Sequence, residues 1–490
     1  MKNTRGLVVV ALLVALVASV AWAGGKSEGA AKGEVKLVWI YPGPYPQPDQ
    51  DLVFARANEI IKQKMNATVD FRIMDWSTFG TKMPAMIGAG EQFDVCYTAG
   101  WINNYTLNAN NGAYVALDDL LVKYAPSLYK SIPKGAWEAS RVNGKIYAIP
   151  MQQIWAYWDC VMIPTFLVDK YKWDLSKVKK PADMEPILRD IKNGEPDIWP
   201  TNPRGIVSFA DHYNGLDYTG APSVVVSYRD PKATVLNWYE VPGVVDYMKI
   251  VRGWYTKGYI RPDILTWKAD SALAETKAKK YGSMWHNTGK PGNEEELKAS
   301  YGYDWKMIRF GEPVMTTTNI IATMQAISIT SAHPDRALEL MELMYTDKDL
   351  YNVIGFGIEG KHYKTVGPNR VERIPDSGYN PNTLWLQGTT FNAFLVGNQP
   401  DNLWDETRKL NADSYPSVLL GFNLNLDPLK TLVANVQDAP TQWQDGLQYG
   451  AIDFDQNYPL VLAALKKAGI DDLKAAVQQQ ISTWMQKKSK

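Results

Sequence analysis

Carboxylates and large aromatic rings are the side chains in this sequence best suited to chemistry, and they point two ways. Asp75, Asp94, Asp159, Asp211 and Glu359 are candidates for a carboxylate pair that would hydrolyse a glycosidic bond, because such pairs meet in space and not at a fixed sequence spacing. Eighteen Trp and 27 Tyr suit a different task, binding a sugar without cutting it. Each offers a flat apolar face and a polar tip, and a sugar ring presents matching C–H faces and hydroxyl edges. Most of these rings must also fill a large core. The catalytic motifs fail one by one. Gly355-Phe-Gly357-Ile-Glu-Gly360 has the GxGxxG spacing but follows a helical pattern and precedes a strand-like one, the reverse of a dinucleotide site. Ser127-x-x-Lys130 lacks the SDN and KTG partners of penicillin-recognising enzymes. The four histidines are scattered, with neither HExxH nor a His/Cys cluster, so neither a metal nor another cofactor is expected.

The elements that would carry these groups follow from periodicity. Val35–Tyr41, an alternating segment around Val69, Phe71 and Ile73, and Phe93–Tyr97 read as strands. Helical patterns over 51–65 and 79–89 separate them. Strand–helix–strand–helix–strand implies a parallel α/β sheet, which binds ligands beyond the carboxyl ends of its strands. Those ends carry Tyr41, then Asp75 and Trp76, then Trp101, so these four are candidate ligand residues.

Asn143-Gly144, between strand-type flanks, is the dipeptide of a type I′ hairpin, and Pro150 ends the pairing that follows. Trp155, Tyr157 and Trp158 come next. Read as a strand, this stretch sends Trp155 and Tyr157 to one face and Trp158 to the other. Trp155 and Tyr157 are the pair expected at a ligand, although a buried hairpin with an aromatic core strand would read the same way. Further on, Met324–Ile329 alternates again. Ser331 and the box Thr346-x-x-Asp349 are candidate caps for the helices that follow. Near the end, Asn457 is read as capping a helix closed by Gly469. The last helix carries Leu473, Val477, Ile481 and Trp484 on one face.

These features together resemble family 1 extracellular solute-binding proteins, the sugar-capturing subunits of ABC importers. Gly90–Val95 with Gly100-Trp101 resembles the family's binding loop in the first lobe, and Val142–Pro150 its hairpin before the hinge. Tyr345-Thr-Asp-Lys-Asp-Leu-Tyr351 and Gly357-Ile-Glu-Gly-Lys-His-Tyr363 resemble its YTDxxxY…GxEGxHY segment. Residues 421–484 resemble the C-terminal region of a subfamily of aldouronate- and polysaccharide-type binding proteins. The resemblance implies a two-lobed periplasmic-binding-protein fold of the α/β class, with hinge crossings and a helical C-terminal region. It also implies an oligosaccharide ligand held by hinge closure and an ABC permease as partner. It places Met284–Gly289 at the cleft, adding Trp285 and Asn287 to the ligand residues, and Glu359 completes the set. The expected divisions are a signal peptide at 1–23, a flexible leader at 24–34 and lobe one at 35–149. Lobe two follows at 150–326, the return of lobe one at 327–400 and a C-terminal domain at 401–490. A secreted hydrolase with a carboxylate pair is the competing reading, and the binding protein is the one adopted, not an enzyme.

Charge and the N-terminus bound the setting. Fifty-two basic residues balance 52 acidic ones, with no basic block to attract nucleic acid or an anionic membrane. Cys96 and Cys160 are too few for a disulfide framework and are expected as buried free thiols in a monomer. Lys2 and Arg5 precede the apolar run Leu7–Val20, and Ala21-Trp22-Ala23 has the small-x-small form of a cleavage site. The run is shorter than the roughly 20 residues of a membrane-spanning helix. Without a cysteine at the cleavage point, a lipid anchor is not expected, and the mature chain would be free in the periplasm or another extracytoplasmic space. Intact-mass measurement of the exported protein should give a chain beginning at Gly24; a product retaining Leu7–Val20, or one carrying lipid, would refute this.

Overall fold

The structure is a computed structural model that describes residues 33–488, except 45, 203–204, 208 and 269–270, and excepting the side chains of His212, Leu273, His286 and Asn287. The expected signal peptide and nearly all of the leader lie outside the described residues.

Lobe one forms where the sequence pattern is clearest. Strands Val35–Pro42 and Ala67–Met74 pair in parallel along their whole length. The helix Gln50–Met65 between them buries Val53, Phe54, Ala57, Ile60 and Ile61 in one stripe. Strand Val95–Thr98 pairs in parallel on the other side of Val35–Pro42. The Asn143-Gly144 turn takes positive φ at both residues, 51° and 82°, as a type I′ hairpin requires. Strand Ala148–Pro150 then closes the sheet edge, joined through Met324–Ile327, which runs antiparallel to both its neighbours. The return to lobe one is therefore complete before residue 324, earlier than the expected 327.

Lobe two is built on a smaller sheet, with Trp158–Pro164 in the centre and Met284–Gly289 and Trp305–Phe310 antiparallel on either side. Alternation divides the central strand. Val161 and Ile163 enter the larger core of this lobe, while Cys160 and Met162 enter a smaller one with Met284, Leu297, Tyr303 and Trp305. Three strands cannot cover the larger core unaided. The helices Phe454–Ala468 and Ile470–Lys488 supply Val461, Leu465, Leu473, Val477 and Ile481 to it. Residues 401–490 do not all pack together: the helix Leu403–Asp413 sets Trp404 against the lobe-one core, while the last two helices join the core of lobe two. The helix faces agree with the sequence pattern, but the caps differ. Asp453, not Asn457, caps the first of these helices by accepting from Gln456 N (3.0 Å), and Asp347, not Thr346, caps Lys348–Phe356 by accepting from Leu350 N (2.9 Å). Ser331 accepts from His333 N ahead of the helix Pro334–Thr346 and is not its cap. At the first two helices an oxygen at the correct reach from a free helical N–H displaces the residue suggested by spacing, and the helix Pro334–Thr346 has no side-chain cap.

Three segments pass between the lobes. The first, Met151–Tyr157, is irregular, and the strand expected there begins only at Trp158. The second runs from Gly311 to Thr323 and the third through Tyr415–Pro416, which pairs in parallel with Val314–Met315. Side-chain amides stand in for a sheet ladder. Asn411 Oδ1 accepts from Trp155 N (2.8 Å) and Ala156 N (3.3 Å), and its Nδ2 donates to Gln153 O (2.7 Å). Asn319 Nδ2 donates to Trp155 O (3.1 Å) and Val314 O (3.2 Å), and its Oδ1 accepts from Tyr157 Oη (2.9 Å).

Cys96 lies in lobe one and Cys160 in lobe two, both buried and unbridged. Burial pushes each thiol up to about 12. Neither is a thiolate near neutral pH, so a thiol reagent should label no cysteine in the native protein and two after unfolding, read by mass. Rapid labelling of either cysteine in the folded state would contradict this placement.

Candidate functional site

The carboxyl edge of the lobe-one sheet carries a cluster of aromatic rings. Trp76 opens the helix Trp76–Gly88, where the second strand ends. Trp101 stands in the loop after the third strand, held by Gly100 N donating to Ile321 O (3.0 Å) and by its own Nε1 donating to Ala322 O (2.9 Å). Tyr97 Oη donates to the same carbonyl (3.1 Å), so this loop is fastened to the second crossing. The Trp76 and Trp101 ring centroids are 5.5 Å apart. On Trp76 lies a third indole, Trp385, with centroids 5.8 Å apart and planes 4° from parallel. Tyr97 backs the stack edge-on, 6.3 Å from both Trp76 and Trp385. Trp101 is 58% exposed, and Trp76 and Trp385 are partly covered. A stack with an open indole face and a buried backing is an apolar platform of the kind on which a flat ligand ring can lie.

Sequence reasoning found Trp76 and Trp101 because they follow strands. Trp385 carries no such signal: it lies in the single 3-10 turn Leu384–Leu386, with no strand end or pattern to mark it. Asp75 caps the helix that begins with Trp76. The hydroxyl and N–H of Thr78 hold its carboxyl below the ordinary value, so it stands charged and exposed beside the stack.

The lobe-two side is polar. Tyr157 is half-buried at the end of the first crossing. Its hydroxyl is pushed above its ordinary value by burial, then by the charges of Asp159 and Asp217. Both aspartates are buried, and Ser417 Oγ donates to Asp217. Asn287 lies on the strand Met284–Gly289, with its side chain outside the description.

Three expected ligand residues prove to be core residues. Tyr41 is 1% exposed, since its strand is covered on both faces, and it packs on Trp39. Trp155, 2% exposed, joins the core of lobe one and donates to Met151 O (3.1 Å); the alternation argument fails because the segment is not a strand. Trp285, 1% exposed, sits opposite Val161 and faces the larger core of lobe two. Phe209 meets it edge-on with ring centroids 4.7 Å apart, and Trp254 lies tilted against it at 5.1 Å. Glu359 is exposed on the turn that leads to His362, on the side of lobe one where His362 Nε2 meets Asp49 Oδ2 (3.0 Å).

Several of the carboxylates considered for hydrolysis have structural partners. Asp75 is a cap. Asp94 accepts from Val38 N (2.8 Å) and Ser331 Oγ (2.5 Å), and Asp211 accepts from Trp238 Nε1. Among the described residues, no group of three or more His, Cys, Asp or Glu side chains is arranged to hold a metal ion.

Known proteins resemble this chain along almost its whole length. A protein from Streptococcus pneumoniae serotype 4 named carbohydrate ABC transporter substrate-binding protein is 27% identical over 474 residues, 94% of this chain and 93% of its own. The crystal structure of the N-glycan transport solute binding protein NgtS from Streptococcus pneumoniae superposes with a TM-score of 0.84 at 25% identity, covering 92% of this chain and 99% of that one. The same protein in complex with Man5GlcNAc gives 0.74 over the same share of each chain. A family model described as a domain of unknown function, DUF3502, matches residues 418–486, the stretch that completes the lobe-two core.

Burial separates the roles of the tryptophans. Trp285→Ala should lower unfolding stability by about 3–5 kcal/mol, the usual effect of emptying a core indole site. Trp101→Ala should leave it almost unchanged. Denaturant titration of the ligand-free variants tests both; equal losses would place Trp101 in the core.

Proposed function

We propose that this chain, a solute-binding protein of the carbohydrate ABC-importer type, captures an oligosaccharide between its two lobes and delivers it to a membrane permease. The carrying observation is the stack of Trp101, Trp76 and Trp385 at the carboxyl edge of lobe one. A sugar lies with its C–H face on an open indole of this stack, Trp101 first. Trp76 has rings on both sides and acts more as a spacer than as the contact face. Asp75 is placed to accept hydroxyl hydrogens beside the platform. Tyr157 and Asn287 are the lobe-two residues offered for the opposite wall. Glu359 contributes from the rim of lobe one.

Capture works by hinge closure. A two-lobed protein on three crossings populates open forms, and a ligand that touches both lobes favours the closed one. The higher similarity to NgtS without a named glycan than to NgtS with Man5GlcNAc supports reading the present arrangement as the open side of that equilibrium. Glycans containing mannose and N-acetylglucosamine are accordingly the first ligand class to test. The site of action is extracytoplasmic, as for the substrate-binding proteins of ABC importers generally, and the chain works as a monomer. Among the described residues, no helix is long and apolar enough to cross a membrane.

Calorimetric titration against Man5GlcNAc and a panel of other oligosaccharides should find one that binds and is recovered uncut. Deleting a stacking ring should cost on the order of 1–3 kcal/mol. Trp101→Ala should therefore weaken binding roughly ten- to hundredfold. Release of shortened product would favour the hydrolase. Unchanged affinity in Trp101→Ala would move the ligand away from the platform.

A further inference from the structure

Trp385 reaches the platform from the single 3-10 turn Leu384–Leu386, flanked by irregular chain, yet its ring lies within 4° of parallel to Trp76. Something must hold that loop, and the carbonyls on either side of Trp385 show what does. Leu384 O accepts from Tyr351 Oη (2.5 Å), and Leu386 O accepts from Gln325 Nε2 (2.7 Å). Both donors are fully buried in lobe one. Gln325 is itself fixed, because its Oε1 accepts from Trp39 Nε1 (3.0 Å) on the strand Val35–Pro42. Tyr351 stands on the helix Lys348–Phe356, one turn before Gly355. A Cβ at Gly355 would come within 2.1 Å of Leu384 Cδ2, so the glycine leaves room for the loop to dock.

Resting on the platform reading above, we propose that Tyr351 and Gln325 are positioning residues. Their two hydrogen bonds clamp the backbone around Trp385, hold its ring on Trp76, and so set how firmly the cleft grips a sugar. The tyrosine that ends the YTDxxxY segment thereby acquires a specific task. A loop ring free to rotate would have to be ordered at each binding event, and the clamp removes that cost beforehand. The same loop is tied to the first crossing, where Gln152 N donates to Gly388 O (3.0 Å) and Thr390 N donates to Gln152 O (2.9 Å). Trp385 therefore sits on a segment that touches both platform and hinge.

Fluorotryptophan labelling with fluorine NMR tests the clamp without any ligand. Trp385→Phe assigns the Trp385 resonance by its disappearance. Tyr351→Phe, which removes one hydroxyl, should shift or broaden that resonance while leaving those of Trp254 and Trp285 in place. Gln325→Met should do the same, and it is the second variant should the first fold poorly. Affinity for Man5GlcNAc should fall about three- to tenfold in Tyr351→Phe, the scale of one hydrogen bond. An unmoved Trp385 resonance in both variants overturns the positioning role, whatever the affinity. A moved resonance with unchanged affinity, where Trp385→Ala does lose affinity, overturns the link from clamp to binding. If Trp385→Ala and Trp101→Ala both bind as the parent does, the platform reading is what fails.

Discussion

Two asparagine amides at the junction of the lobes carry the constraint on which the rest of this structure depends. Three chain segments meet there without a sheet to join them, apart from the short pairing of Val314–Met315 with Tyr415–Pro416. Backbone N–H and C=O groups in such a place need partners, since an unmet buried polar group costs more than a typical hydrogen bond returns. Asn411 serves the first crossing from the third, and Asn319 serves the first from the second. Each amide offers both donors and an acceptor, so Asn411, on the helix Leu403–Asp413, meets three backbone groups of the first crossing and Asn319 meets carbonyls of the first and second. A ladder would have stiffened the junction. Side-chain bonds join the segments without one.

The lobes on either side of that junction differ in how they are stabilised. Lobe one has five strands and buries them under its own helices. Lobe two has three strands in its main sheet and borrows the C-terminal helices to close its larger core. This accounts for the position of the residues matched to the domain of unknown function. They pack on the helix Pro242–Thr256 and the strand Leu236–Asn237 and keep their apolar faces from water, at roughly 25 cal/mol for each Å² of apolar surface covered. Their contribution is to the rigidity of one jaw and not directly to the cleft.

The aromatic content divides along the same line. Trp39, Trp155, Trp254 and Trp285 are packed in cores, where indoles fill space and find local hydrogen bonds or edge-on neighbours. Trp101 is an indole left largely open, and it is one of a stack whose other members are backed by Tyr97. A patch of open aromatic surface costs solubility and contributes little to the stability of its own lobe, which supports the proposal that it is a contact face.

Much of this could be read from the sequence. The strands and helices of lobe one, the Asn143-Gly144 hairpin, the apolar face of the last helix and the free cysteines follow from periodicity, turn chemistry and composition. The placing of Trp76 and Trp101 at the carboxyl edge of the sheet was legible because both follow strands. These signals are local, set by a few neighbouring residues. What tertiary structure decided is which rings stay open. Alternation along a segment names two faces but not which of them meets a core, so Tyr41, Trp155 and Trp285 looked like Trp101 until packing covered them. Trp385 had no local signal at all: its place depends on Tyr351 and Gln325, residues from other elements whose hydrogen bonds exist only once the lobe has closed around them. The same holds for the C-terminal helices, whose faces were plain but whose partners, the helix Pro242–Thr256 and the strand Leu236–Asn237, could be known only in space. Burial belongs to the assembled core and not to the residue, which is why the elements could be predicted and the division of the tryptophans between core and cleft could not.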